Sequence, residues 1–234
     1  MSRNRRIKPF SGFNKKTVDH LVLDAGAFFK NFDVATDTYA SAKAAGKCIG
    51  ATNGGGEFNV TVTYRNGEFD GVRARTKGNL FIDTIEAYLK ATLAEITEDV
   101  MKMALGSADS DTATENNNYD KIVGRTYVLD SDYVENITWV GTLLGEDKPI
   151  IIQVYNAYSE NGLSMSVADK GQASIELQFY GYQDEDAYDI ADDGDDVTPP
   201  YAIFYPKETE EETQAAAQSS GTSGNGGTSG NGGN

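Results

Sequence analysis

Residues 49–64 read IGATNGGGEFNVTVTY, a glycine run that passes directly into a segment of strict alternation. Gly54, Gly55 and Gly56 invite comparison with a phosphate-binding loop. A Walker A site needs Lys followed by Ser or Thr to reach the phosphates and magnesium, and Glu57 and Phe58 stand there instead. A dinucleotide fingerprint would open a helix, yet Phe58, Val60, Val62 and Tyr64 alternate with Glu57, Asn59, Thr61 and Thr63 at the period of a strand. The glycines therefore launch a β-strand. Three in succession point to a positive-φ turn or to close approach of a neighbouring subunit.

Working outward, 21–23 (LVL) starts a short apolar strand, and 33–47 is a polar, Ala-rich connection. After the alternating strand, RNGEFDG holds the turn dipeptides Asn66-Gly67 and Asp70-Gly71, which predict a hairpin or bulged corner. Residues 84–93 read as a strand, with Ile85, Ala87, Leu89, Ala91 and Leu93 on one face. A helix follows, N-capped by Thr97, with Glu98 and Asp99 in its first turn and Gly106 closing it. A continuous helix over 80–105 is the alternative reading of the same stretch. Residues 107–120 form a polar loop. Strands at 133–144 and 150–155 flank the turn LGEDKP, with Trp139 alternating with Ile137 and Leu143 toward the core. A strand at 173–182 carries Ile175, Leu177 and Phe179 on one face, and 201–205 is a final short strand. The chain is thus mainly β with one short α-helix: a twisted β-sandwich or barrel of about eight strands, the helix packed outside.

Three regions follow: a basic N-terminal arm at 1–16, a β domain at 17–206, and an acidic, then Gly/Ser/Asn-rich tail at 207–234, in which GTSGNG occurs twice in tandem. The formal net charge is −16, from 36 acids and 20 bases. That balance argues against a protein that binds nucleic acid by neutralising phosphates. Residues 1–18 hold six bases (Arg3, Arg5, Arg6, Lys8, Lys15, Lys16) and no acid, so the remainder carries 36 acids against 14 bases. Either the arm is a solvated terminus or it lies on an acidic neighbouring surface. No apolar run is long enough to span a membrane, and no hydrophobic core of a signal peptide follows the basic residues, so a cytoplasmic site of synthesis is expected.

No catalytic set emerges. With one Cys, Cys48, and one His, His20, there is no intrachain disulfide, and no zinc, haem or nucleophile–base constellation is legible. Residues 184–196, DEDAYDIADDGDD, contain eight acids and merit comparison with a calcium loop. With Gly194 at the sixth position, Asp189 and Asp193 fit the first and fifth, but Ala191 falls third and Pro200 twelfth, and flanking helices are missing. A solvated acidic loop is the simpler reading. No catalytic, cofactor or metal site is expected.

Taken in order, LVLDAGAFFKNFD, CIGATNGGGEF, YRNGEFDGVR, LAEIT before a short helix, and TPPYAIFYP resemble the major tail tube proteins of long-tailed bacteriophages, over roughly residues 18–206. The resemblance implies a structural virion protein, not an enzyme, whose hexameric rings stack into a hollow tube that conducts DNA during ejection. It also implies self-association, other tail proteins such as the tape measure and tail terminator as partners, and DNA that passes without specific binding. Membrane insertion is not implied, and the location would be the virion tail, reached from the host cytoplasm. Within that reading, Phe58, Val60, Val62, Tyr64, Ile137 and Trp139 are candidates for the ring-forming sheet, and Arg3, Arg5 and Arg6, with the loop at 107–120, for contacts between rings. The alternative is a soluble carbohydrate- or ligand-binding β-sandwich.

Overall fold

The structure, a computed structural model, describes residues 11–14, 16–112, 118–145, 148–167, 169–190 and 197–207. Eight strands form one bent sheet. Its path runs from β1 (Val22–Lys30) to β6 (Val134–Leu143), β7 (Ile150–Ser159), β9 (Ser174–Tyr180), β3 (Leu80–Leu93) and β2 (Thr52–Asn66). β10 (Tyr201–Phe204) adds to β7, and β8 (Ser164–Ser166) adds to β9. All pairings are antiparallel. The bend lies in β7, which pairs along most of its length with β6, while Tyr158 and Ser159 at its end meet Tyr180 and Phe179 of β9. The two halves fold together as a β-sandwich.

The core follows from period-two patterning. Leu89, Ala91 and Leu93 on β3 and Ile175, Leu177 and Phe179 on β9 are buried against Phe28, Ile137, Val154 and Ala157 of the opposite half. Helix α2 (Glu98–Leu105) packs Val100 and Ala104 into this core. Its N-cap is Thr97, whose hydroxyl accepts from the Val100 amide, and Gly106 ends it at φ +73°. The split reading of 80–105 into strand and helix is the one observed.

The glycine run has two local causes. Gly54 and Gly55 sit at φ +96° and +81° with no atom near where a Cβ would lie, inside a register slip between Thr52 and Gly56. At Gly56 a Cβ would meet the Phe28 ring at 2.3 Å, so the close approach belongs to the chain's own first strand. A second fit of this kind holds β1: the Trp139 indole lies across Gly26 and Gly141, where a Cβ would fall 2.4 and 2.0 Å from it, and Trp139 Nε1 donates to the Ala25 carbonyl at 2.9 Å. Trp139 is half-buried against the core.

Several short segments, β8 among them, differ from the sequence reading. The connection at 33–47 contains α1 (Tyr39–Ala44), closed by a Thr38/Ser41 capping box. It covers the outer face of the β1–β6 half through Phe29, Phe32, Ala42 and Val140. The segment at 107–120 is not all loop: β4 (Ala108–Thr112) pairs with β5 (Asp120–Gly124) as a separate two-stranded sheet. Its anchor is Arg125, whose buried guanidinium pairs with Asp132 and lies 3.0 Å from Asp109, and whose amide donates to Ser107 O. A short helix, α3 (Ala187–Ile190), follows β9. The arm at 1–10 and the tail beyond 207 lie outside the described residues.

Beneath α1 a buried polar clasp fixes the chain reversal after β1. Asn136 Oδ1 accepts from the Phe32 amide and the Thr138 hydroxyl, each at 2.9 Å, and Gln153 Nε2 donates to Phe32 O and Thr138 Oγ1 at 2.8 and 2.9 Å. Asn136→Ala strands a buried amide, so urea unfolding is expected to show a loss of about 1–3 kcal/mol with an unchanged slope. The Asp37 carboxylate is held below its ordinary value of 3.8, first by the Lys47 ammonium and then by the Asp33 amide. A lowered folded pKa gives stability that is complete above the unfolded value and lost as pH falls through the folded one. Thermal melts from pH 6 down to about pH 3 should therefore show an acid limb that Asp37→Asn makes shallower.

Candidate assembly surfaces

The β2–β3 ribbon is the longest element of the fold, with strands of 15 and 14 residues, and it outruns its support. β3 pairs with β9 only over Tyr88–Leu93, and Gly181 N donates to Ala87 O at the end of that contact. From there to Leu80 the second edge of β3 has no strand partner among the described residues, and β2 is the terminal strand of the sheet. Neither edge of the distal ribbon thus has a strand partner among the described residues.

Its faces are unlike. One is polar: Thr63 and Thr84 hydroxyls meet at 2.6 Å, and the Tyr88 hydroxyl donates to Glu57 at 2.9 Å, an interaction that raises the phenol pKa. The other continues the core. Phe58 faces Leu89, Val60 faces Ala87 and Val62 faces Ile85, after which the register slips so that Tyr64 opposes Ile82 and Asp83 is the extra residue. The slip restores the phase of the stripe, placing Leu80, Ile82 and Tyr64 on the same side. Exposure climbs along it, from 2% at Leu89 to 58% at Ile82, with Leu80 at 53% and Tyr64 at 56%. A core-facing stripe therefore extends into solvent. At the tip, the Asn79 side chain bonds both the N–H and the carbonyl of Gly67, leaving Phe69 and Val72 exposed beside Arg73, Arg75 and Lys77.

A second surface adjoins the ribbon, since Tyr182, Gln183 and Val197, which line it, also face Ile82–Ala87 across a crevice beside distal β3. Tyr133, Tyr158 and Tyr182 pack ring to ring, with centroids 5.2 to 6.4 Å apart. Beside them is a groove of about 860 Å³ lined in part by Asp130, Asp184, Glu185 and Asp186 and, among the described residues, by no Lys or Arg. Asn156, at φ +44°, donates to Asp184 at 3.1 Å.

The sequence-derived candidates fall in different places. Tyr64 is exposed on the stripe; Phe58, Val60 and Val62 are half-buried, Phe58 packing against Tyr201 with centroids 5.9 Å apart. Ile137 is buried in the chain's own core, so its side chain does not reach a surface. Trp139 is committed to its glycine platform. Arg3, Arg5 and Arg6 lie outside the described residues. His20 Nδ1 lies 3.4 Å from the Tyr205 hydroxyl, and Cys48 is half-buried in a bridge with Phe29. Leu80, Phe81 and Ile82 were not anticipated; three apolar residues in a row beside a turn were the available signal, since such a run puts apolar groups on both faces of a strand. The acidic groove draws on segments distant in sequence, and only its 184–186 part was visible as an acidic run. Most of the rest of that run, 191–196, lies outside the described residues. Among the described residues no group of three or more His, Cys, Asp or Glu side chains is disposed to hold a metal, and no helix is long and apolar enough to cross a membrane. The chain matches no protein-family profile, and comparison with characterised proteins finds no match.

Proposed function

We propose that this chain is a structural subunit that closes into rings, six-membered as the sequence resemblance implies, and that the rings stack into the hollow tail tube of a long-tailed bacteriophage. The observation that carries this reading is the overhanging β2–β3 ribbon. A core-facing stripe left exposed, with neither edge paired to a strand among the described residues, is what a subunit needs when a neighbour completes its sheet. A second copy pairing along the ribbon would bury Leu80, Ile82 and Tyr64 and satisfy the free edges at once. A ring closes that contact on itself and leaves no edge over.

The charge supports the same reading. A conduit for DNA works best when its wall does not hold phosphate, and carboxylates on the inner surface repel it. The tape measure and tail terminator are the further partners of such a tube, and the virion tail its location. No enzymatic step is proposed.

Electron microscopy of the purified protein tests the proposal. Tubes of repeating rings are expected, whereas discrete monomers that bind glycan in a calcium-dependent way would replace it with the ligand-binding sandwich. Leu80→Asp with Ile82→Asp is expected to abolish rings and tubes while leaving the monomer's melting temperature within a few degrees of the parent, because neither side chain is buried within the chain. Tubes formed normally by that variant would remove the ribbon from the assembly.

A further inference from the structure

The acidic groove and the point where the basic arm joins the fold sit at opposite ends of the same strands. The chain enters the fold at 19–21, where the Gly145 amide donates to Asp19 O and the Leu144 amide to Leu21 O, beyond the C-terminal end of β6. His20 also meets Tyr205 just past the end of β10. The groove opens at Tyr133, before the N-terminal end of β6, and Thr198, before β10, lines it. β6 has ten residues, which places the two features roughly 33 Å apart.

Copies stacked in the same sense along this axis bring the root of one arm beside the groove of the next. The groove is lined by the half-buried rings of Tyr133 and Tyr182 and by Leu129, together with Asp130, Asp184, Glu185 and Asp186. Arg3, Arg5, Arg6 and Lys8 bring four cations without an intervening acid. Guanidinium groups suit both parts of such a groove, forming forked bonds to carboxylates and stacking on tyrosine rings.

We propose that the arm, residues 1–16, of one copy docks in the acidic, tyrosine-walled groove of the next copy along the strand axis. The contact is head-to-tail and does not close, so it propagates as a stack. The proposal deepens the tube reading by naming the surface that receives the arm, and it rests on that reading for the arrangement of copies.

Two measurements test it on the full-length chain. A fluorescent peptide of residues 1–16 is titrated into the chain carrying R3E, R5E and R6E, whose own arm no longer competes. Saturable binding is expected, weakened about tenfold or more by adding Asp184→Lys and Glu185→Lys, and unchanged by Glu95→Lys, which alters an exposed carboxylate outside the groove. No binding, or binding that survives the groove substitutions, overturns the proposal even if tubes are seen; groove-dependent binding by a chain that never forms tubes retains the docking and sinks the tube alone. In the second measurement, the arm-reversed chain is mixed with a groove-reversed chain that keeps its native arm. Sedimentation is expected to show association between the two kinds that is lost or sharply weakened for either kind alone. Failure of the mixed chains to associate, with peptide binding intact, assigns the groove to the chain's own arm and overturns docking between copies.

Discussion

The β2–β3 ribbon carries more apolar surface than the other described residues cover. β9, which supports it, has seven residues, about half the length of β3. Each large side chain on the overhang gains about 1.5–3 kcal/mol when fully buried, so three together approach the roughly 4–15 kcal/mol that association costs in lost freedom. One such contact is therefore marginal. Closure of the proposed ring would engage every subunit twice, and that doubling would favour a complete assembly over stray pairs.

The parts of the fold legible in the sequence were those with a local physical signature. Thr97 and Gly106 bracket α2 because capping chemistry is confined to a few residues, and Ile175, Leu177 and Phe179 mark β9 because it has one wet and one buried face. Helix α1 escaped notice because it has six residues and a single buried one, Ala42, too few to display a period. The β4–β5 hairpin, ADSDT on one side, has no apolar alternation; backbone pairing and the Arg125 anchor hold it. Only the start of β1 was visible, since Asp24 at φ +71° and Gly26 at +66° interrupt it.

The candidate surfaces were less legible for a different reason. Period two separates the faces of a strand without saying which is covered, so Ile137 and Tyr64 looked equivalent although one is buried and the other exposed. The deciding fact is where a neighbouring strand ends. Similarly, the acidic groove depends on Asp130 and Tyr133 meeting residues 182–186 at one end of the sandwich, a proximity set by topology.

The extra residue at Asp83 has a wider consequence. An uncovered ribbon with a regular edge would be a template for any extended peptide in a crowded cell, including partly folded copies of itself. A bulge increases the local twist and interrupts the evenly spaced hydrogen-bonding groups. Flat cross-β stacking loses its register there, while a partner shaped to the same kink keeps its own. In the proposed ring the interruption would act as quality control, excluding illegitimate partners from an edge kept open for a neighbouring copy.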